Sequence, residues 1–397
     1  MIDFLRKEGI PYSNDIDVIK VESTDMTFMS PFLSPYINKR ADVVAFPRSE
    51  EEVIKIVEKA IEEHIPIVPR GGGMNNIGGV VPLRGGIIID LKFMNKIERV
   101  NEEEVTAYAG AKYYDKGKFN FNPRVYPSSF DKGVTVGGHV AGGCCGIGSF
   151  KYGYVWDQLA EVRMVNPRGK IVELKGGDVK IAAHAEGTTG IITRVKLLTE
   201  KEDYQFKVIE GDLNYLVKLV SNFFDEGTDV YHLTLRSPEA SEITGVMKSK
   251  KWQLFIAHSK EEKINGIDGL ELWEKKQVFY GGLTLSFLDK MGRAEYLIKD
   301  TDVEFIPEIV RELKGLAVIQ GEFILGRIAH IFVVSGSNYN KIKEIVSKYP
   351  GSIFELHDFR VNTRLSKDHV ERIVRWKKAY DKEDLFNPGK VEFYPRS

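Results

Sequence analysis

Cysteine is nearly absent from the 397-residue sequence, which contains only Cys144 and Cys145. Because two adjacent thiols cannot join distant elements, the sequence predicts no disulfide framework and favours a reducing, cytoplasmic location. No stretch approaches the ~18 consecutive apolar residues of a membrane-spanning helix. The opening residues MIDFLRKEGIPYSND lack the basic and apolar blocks of a signal peptide. We therefore expect no integral membrane segment, and a peripheral membrane contact stays open.

An excess of charge of one sign is also missing. The 56 Lys and Arg residues nearly balance the 57 Asp and Glu residues, which gives a net charge of -1. This balance argues against a nucleic-acid partner and against general binding to anionic membranes. With 43% hydrophobic residues, the chain is long enough to bury a core over about two or three domains.

Glycine is the informative residue, because its placement is uneven. Two short segments hold many of the 37 glycines, and their positions are Gly71, Gly72, Gly73, Gly78, Gly79, Gly85 and Gly86, then Gly133, Gly137, Gly138, Gly142, Gly143, Gly146, Gly148 and Gly153. Glycine costs backbone entropy on folding, so such clusters occur where the main chain takes positive φ or lies against a ligand. Each cluster is either a set of tight turns or a backbone-lined site.

The first glycine cluster follows a predicted strand–helix–strand unit. Residues 41–47 and 65–69 predict strands, and residues 49–64 predict an amphipathic helix capped by Ser49. Successive N–H groups after the second strand can form a nest around a pyrophosphate, with Asn75 and Asn76 as further donors. Arg70 is either a phosphate-facing charge or a surface residue. Neither the Rossmann fingerprint nor the P-loop motif occurs here.

The strands that follow predict a mixed sheet whose phosphate site is a strand-to-strand loop. Ile87 to Ile89 and residues 105–111 are strand-like, and residues 159–174 read as a hairpin. Between them, residues 126–159 are dominated by small residues, which cannot pack a core of their own. This segment is suited to lining a flat aromatic ligand with backbone groups.

These motifs, taken in order, resemble a known family. The motifs are PRGGGMNNIGG (69–79), GGIIIDL (85–91), YPSSFDKGVTVGGHVAGG (126–143), KYG (151–153), EGTTGIIT (186–193) and LFNPGK (385–390). Together they resemble the FAD-linked oxidases of the vanillyl-alcohol oxidase type, and the first half looks most like the flavin subunits of D-lactate dehydrogenase and glycolate oxidase. The second cluster is also similar to berberine-bridge-like oxidases. The resemblance covers residues 40–199 and 376–394.

The resemblance implies an α+β fold with a two-subdomain FAD-binding domain of the PCMH type and an α/β cap. The implied divisions are an N-terminal extension (1–38), the FAD-binding domain (39–200), a substrate or cap domain (201–350) and a C-terminal segment that returns to the flavin (351–397). The residues that it implies for FAD binding are Arg70, Gly71, Gly72, Gly73, Met74, Asn75, Asn76, Gly78, Ser128, Ser129, Val136, Gly137, Gly138, His139, Gly142, Gly143, Glu186, Gly187, Gly190, Ile192, Asn387 and Lys390.

Four residues near the implied flavin depart from the family pattern or leave their role open. Met74 stands where members with a histidyl–flavin bond often carry His, so the expected FAD is non-covalent. His139 either hydrogen-bonds the flavin or substrate, where its titration near neutrality would suit proton handling, or packs beneath the cofactor. Cys144 and its neighbour are expected to be small buried fillers rather than redox groups.

The predicted cap and the C-terminal segment carry most of the candidate substrate residues. Helical stretches alternate with strand-like runs over residues 200–350. The lactate and glycolate group often carries two metal-binding elements, H-x-G-D-G-N-x-H and S-G-E-H-G, and here residues 323–330 and 354–358 keep little of them beyond two histidines. We therefore expect no intact metal site. The candidates for catalysis or for holding a substrate carboxylate are His139, His330, His357, Arg327, Arg360 and Arg364.

The resemblance implies an FAD-dependent oxidoreductase that transfers hydride from a small 2-hydroxy acid, such as lactate or glycolate, to flavin N5. The expected partners are that small substrate and an electron acceptor such as oxygen, a quinone or an iron–sulfur protein. Two alternatives stay open. One is an FAD-binding companion subunit of a glycolate-oxidase-like complex, and the other is an FAD oxidase of sugars or polyols.

Overall fold

Three main β-sheets organise this α+β protein. The structure is a computed structural model and describes residues 1–128, 133–201, 203–274, 276 and 281–393. Residues before 200 build the first two sheets, and residues 204–354 build the third. The second glycine cluster belongs to the first part of the chain, and residues 149–152 within it pack against strands of the third sheet.

The first sheet contains the predicted strand–helix–strand unit. Its strands, in spatial order, are β1 (Tyr12–Ser13), β2 (Val43–Ala45), β4 (Ile87–Asp90) and β3 (Ile67–Arg70). Helix α3 (Glu50–Glu62) connects β2 to β3, and both of these strands run parallel to β4. The Ser49 hydroxyl accepts a hydrogen bond from the Glu52 N–H, which confirms the predicted cap.

The second sheet is antiparallel, which corrects the prediction of a single mixed sheet. Its order is β10 (Ile171–Leu174), β9 (Leu159–Val165), β11 (Ile191–Leu198), β6 (Glu104–Tyr108) and β5 (Ile97–Val100). The β9–β10 hairpin is confirmed. A two-stranded hairpin, β7 (Tyr114–Asp115) and β8 (Lys118–Phe119), follows β6. Strand β6 belongs to the second sheet, and its inward face, with Val105 and Ala107, packs into the core that both sheets share.

The third sheet has eight strands and two different faces. Its order is β15 (Ile267–Asp268), β12 (Tyr204–Gly211), β14 (Trp252–Ser259), β13 (Val230–Arg236), β17 (Val318–Ile324), β18 (Ile328–Ser335), β16 (Glu295–Asp302) and β19 (Ile353–Phe354). Leu233 and Leu235 pack against helices α6 (Leu213–Glu226), α10 (Ile306–Leu313) and α11 (Tyr339–Ser347). Because side chains alternate along a strand, His232, Thr234 and Arg236 lie on the opposite face.

The C-terminal residues return to the first sheet. Helix α12 (Lys367–Tyr380) packs on the chain near residue 180, where the Trp376 indole donates to the Thr189 carbonyl over 2.9 Å. Phe386 then forms a parallel bridge with Ile67. The remaining helices are α1 (Ile2–Glu8), α2 (Ile16–Glu22), α4 (Val136–Gly142), α5 (Ser149–Tyr152), α7 (Pro238–Thr244), α8 (Leu270–Glu274) and α9 (Gly281–Met291). Within the described ranges, no helix is long and apolar enough to cross a membrane.

Candidate functional site

A cavity of about 580 Å³ lies between the two glycine clusters and the polar face of the third sheet. Its volume falls within the range of about 300–1,000 Å³ that is common for small-molecule and cofactor sites. The glycine clusters, with the Glu186 turn, form one side of it, which we call the glycine wall. The other side, which we call the cap wall, includes Arg236, His330, Phe332 and Phe354.

Backbone packing shapes the glycine wall. A Cβ on Gly72 would collide with the Gly133 carbonyl oxygen, and a Cβ on Gly71 would collide with the Thr135 hydroxyl. Gly73 has a φ of 66°, a conformation that disfavours residues with side chains. The two glycine segments therefore touch main chain to main chain, and their backbone forms the surface of the cavity.

Arg70 has a different role from either of the two that the sequence left open. It lines the cavity, but its Nε pairs with the Glu22 carboxylate. Its Nη1 donates to the carbonyls of Glu22 and Thr24 over 3.0 and 2.9 Å. The guanidinium is therefore committed to the N-terminal segment, which it ties to the start of the glycine loop.

His139 is a neutral, buried histidine on the glycine wall. The Tyr113 hydroxyl lies 2.8 Å from its Nδ1, and its Nε2 has no hydrogen-bond partner among the described residues. Burial lowers the pKa of His139 to about 3, so it does not titrate near neutral pH. The adjacent Cys144 and Cys145 also line the cavity, and burial raises the pKa of both thiols, which keeps them protonated.

The C-terminal motif supports the glycine wall from behind. The Lys390 ammonium donates to the carbonyls of Gly78 and Gly79 over 2.5 and 2.8 Å. The Asn387 amide donates to the carbonyls of Gly79 and Glu186 over 2.8 and 2.6 Å. These two side chains are fully buried and do not line the cavity, so they position the loop rather than face a ligand.

The structure brings most of the predicted FAD residues to one cavity. Those that line it are Arg70, Gly71, Gly72, Gly73, Met74, Asn75, Asn76, Ser128, Gly137, Gly138, His139, Gly142, Gly143, Glu186, Gly187, Gly190 and Ile192. Gly78, Val136, Asn387 and Lys390 do not line it. Gly78 faces Phe359, Val136 lies in the hydrophobic core, and Asn387 and Lys390 hold the loop from behind. Ser129 lies outside the described residues.

His330 is the predicted cap histidine that faces the cavity, and it has a buried partner. Its Nδ1 lies 2.5 Å from an Asp300 carboxylate oxygen, and the Tyr154 hydroxyl donates to the other oxygen of that carboxylate over 3.1 Å. Both His330 and Tyr154 line the cavity. This arrangement, a histidine oriented by a carboxylate, is typical of a general base.

Three other predicted substrate residues, Arg327, Arg360 and His357, lie away from the cavity lining. Arg327 pairs with Asp225 at the surface, and Arg360 pairs with Asp358 and Glu392. Exposed arginines with such carboxylate partners are surface ion pairs.

His357 is enclosed by its own neighbours. Its Nδ1 lies 2.6 Å from the Ser30 hydroxyl, and its Nε2 accepts from the Tyr296 N–H over 3.1 Å. Burial lowers its pKa to about 4. By contrast, Arg364 lines the cavity and forms a buried ion pair with Glu186.

Sequence reasoning missed several lining residues, among them Met26, Met29, Tyr154, His184, Arg236 and Lys276. The alternation of VYHLTLR offered a signal for Arg236, since it puts His232, Thr234 and Arg236 on one face of a strand. Met26 and Met29 carried no such signal, because they belong to the segment that was interpreted as an N-terminal extension. In the described ranges, no group of three His, Cys, Asp or Glu side chains is arranged to hold a metal ion.

The cavity fits a flavin dinucleotide. Its glycine wall presents main-chain groups over two loops. Five buried polar atoms of lining residues have no partner among the described residues, namely His139 Nε2, His184 Nδ1, Glu186 Oε2, Arg236 Nε and Arg364 Nε. Buried polar atoms normally find a partner, so these atoms indicate a polar ligand. A protein-family model described as an FAD binding domain matches residues 41–175, which include both glycine clusters. Over this part of the chain, the resemblance to FAD-linked oxidases is supported.

Two curated relatives are similar to this chain over part of its length. The chain is 33% identical over 187 residues to the glycolate oxidase subunit GlcD of Bacillus subtilis, a match that covers 43% of this chain and 39% of the relative. It is 28% identical over 300 residues to a D-lactate dehydrogenase of Anaerostipes hadrus, which covers 72% of this chain and 59% of the relative. The matched part of the chain thus spans 39% and 59% of the length of these two curated relatives.

The structural similarity extends over nearly the whole chain. A solved structure of alkyldihydroxyacetonephosphate synthase superposes with a TM-score of 0.77 at 17% sequence identity, covering 98% of this chain and 85% of that one. The third sheet is therefore part of the shared α+β fold.

Proposed function

We propose that this protein is an FAD-dependent oxidoreductase that oxidises the CH–OH group of a small 2-hydroxy acid such as lactate or glycolate. The observation that carries the proposal is the His330–Asp300 pair on the cap wall of the cavity whose other wall fits the flavin. The relatives named D-lactate dehydrogenase and glycolate oxidase subunit support the substrate class. FAD, when bound, supplies a hydride acceptor.

Proton transfer and its support are assigned to residues of the chain. His330 accepts the proton of the substrate hydroxyl, and Asp300 stabilises the imidazolium that this transfer produces. Tyr154 holds Asp300 through its hydroxyl. His139 stays neutral because its pKa is about 3, so it serves as a hydrogen-bonding group rather than as the base. The FAD is non-covalent in this proposal, since Met74 replaces the histidine of covalent members and both thiols of the glycine wall stay protonated.

The proposal extends to the organisation and setting of the protein. Residues 39–200 bind FAD, residues 201–350 form the cap, and residues 351–397 return to the flavin site. The protein is cytoplasmic, with peripheral membrane contact as a further option, and passes electrons to a quinone or an iron–sulfur partner. The GlcD relative, itself named as a subunit, supports a multi-subunit assembly.

A companion subunit that binds FAD without oxidising hydroxy acids is the second candidate. It is favoured by the element at residues 323–330, where Gly326 and Ile328 stand in place of the acidic and amide residues of the metal-binding motif. The two candidates differ in what the isolated chain does with substrate.

Anaerobic flavin reduction separates the candidates. The purified protein is loaded with FAD, precipitated with acid to test whether the colour is released, and titrated in its native form with D-lactate, L-lactate and glycolate. We expect released, non-covalent FAD and loss of the oxidised flavin absorbance with one of these acids. Reduction only after a partner protein is added would support the companion subunit, and failure to retain FAD would contradict both candidates.

A further inference from the structure

The cap wall contains a buried cation that has no partner anion among the described residues. Arg236, the last residue of β13, is 1% exposed and lines the cavity. The alternation of β13 puts it on the face of the sheet opposite Leu233 and Leu235, which pack against the helices. Its guanidinium stacks over the Phe255 ring, 4.6 Å from the ring centroid. Its position at the cavity is therefore fixed by the strand and by this aromatic ring.

The hydrogen bonds of Arg236 are incomplete. Its Nη1 donates to the Val246 carbonyl over 3.4 Å, which is a long bond, and its Nε has no acceptor in the part of the chain that the structure describes. A guanidinium has five N–H donors, and it matches the two oxygens of a carboxylate. Most of this donor capacity is therefore available to a ligand in the cavity.

The carboxylate that acts electrostatically on Arg236 is already engaged elsewhere. Glu322 attracts the charge of Arg236, but its own oxygens accept from the Thr234 hydroxyl over 2.6 Å and from the Gln320 amide over 3.3 Å. Among the described residues, Arg236 forms no ion pair, although the comparably buried Arg364 pairs with Glu186. Burial lowers the pKa of Arg236 to about 10, which still leaves it protonated at neutral pH. A buried, charged arginine of this kind is stabilised when an anion enters the cavity.

We propose that Arg236 binds the carboxylate of the substrate from the cap wall. This inference rests on the proposed function for the identity of the substrate. Arg236 is a binding residue in this scheme, whereas His330 handles the proton. Because the interaction is made with a carboxylate that does not react, its loss weakens binding of substrate and of unreactive carboxylates alike.

The test measures binding of oxalate, a carboxylate that cannot reduce flavin, by calorimetry on the FAD-loaded protein. The variants are Arg236→Gln, which removes the charge, and Arg236→Lys, which keeps it without the planar fork. Arg327→Gln is the matched control, since Arg327 is a surface arginine of the same sheet. Circular dichroism and flavin content establish that each variant is folded.

We expect Arg236→Gln to raise the Kd of oxalate at least tenfold, Arg236→Lys to raise it by a smaller factor, and Arg327→Gln to leave it within twofold. With a reducible hydroxy acid, Arg236→Lys raises KM more than it lowers kcat. If the folded Arg236 variants bind oxalate as the unsubstituted protein does, or if that protein binds no oxalate, the assignment is wrong.

The same experiment separates this inference from the proposed function. If oxalate binding depends on Arg236 but no hydroxy acid reduces the flavin, the carboxylate site stands and the proposed oxidation fails. If hydroxy acids reduce the flavin of the Arg236→Gln variant with unchanged KM, the oxidation stands and the carboxylate site fails. Binding of lactamide, the neutral amide, is expected to be insensitive to Arg236→Gln.

Discussion

The two walls of the cavity are built on different principles. The glycine wall is made of main chain, and residues such as Gly72 act through the absence of a side chain. The cap wall is made of side chains on a sheet, such as His330 and Arg236. A wall of main chain depends little on which side chains surround it, whereas a wall of side chains can change its ligand one residue at a time.

The largest expected effect is on the glycine wall. Gly72→Ala places a methyl group against the Gly133 carbonyl and forces the two loops apart, so we expect FAD retention to fall to less than about a tenth of normal, since overpacking costs about 1–3 kcal/mol. Flavin absorbance per mole of protein measures it. Gly336→Ala is the control, because a Cβ there meets no atom within 4 Å. Normal FAD content in Gly72→Ala would show that the loops can separate without losing the site.

On the cap wall, the corresponding substitution removes a proposed catalytic group, and FAD is expected to stay bound. His330→Gln takes away the proposed base, so we expect the rate of anaerobic flavin reduction to fall by about 10²–10⁴-fold. Asp300→Asn, which weakens the orientation of His330, is expected to lower the rate by a smaller factor. Stopped-flow absorbance gives both rates. Reduction of the His330→Gln flavin at the normal rate would remove His330 from the mechanism.

The support behind the glycine wall is expected to matter for folding as well as for FAD. Lys390→Met leaves the Gly78 and Gly79 carbonyls without their buried donor, and it leaves Glu186 with one positive neighbour fewer. We expect a loss of about 3 kcal/mol in the free energy of unfolding and weaker FAD retention. Urea denaturation with and without FAD measures both. Equal stability in Lys390→Met would mean that the loop keeps its shape without Lys390.

The smallest expected effect is a pH dependence behind the cap wall. The pKa of His357 is about 4 in the folded protein and 6.5 when unperturbed. Below pH 6.5 the unfolded chain therefore binds a proton that the folded chain does not, and stability falls as the pH drops towards 4, by up to about 1.4 kcal/mol per pH unit. His357→Gln reduces this slope in denaturation curves, whereas exposed His64→Gln keeps it. Identical slopes in both variants would contradict the assignment.

The contrast between the walls also explains what the sequence could predict. The glycine wall was predictable in detail, because glycine clusters after a strand–helix–strand unit carry meaning in their spacing. The contacts of Arg70 with Glu22 were not, since nothing local indicates that the N-terminal segment folds onto the loop. Arg327 and Arg360 show the opposite error, because residue type alone does not distinguish a surface ion pair from a ligand-binding group.

The tie between the C-terminal motif and the glycine wall bears on how the protein matures. The loop at Gly78 and Gly79 is held by Asn387 and Lys390, more than 300 positions later in the sequence. During synthesis the glycine loops leave the ribosome long before their buried support exists. We therefore expect the nascent chain to retain flavin only after residues 387–390 have left the ribosome.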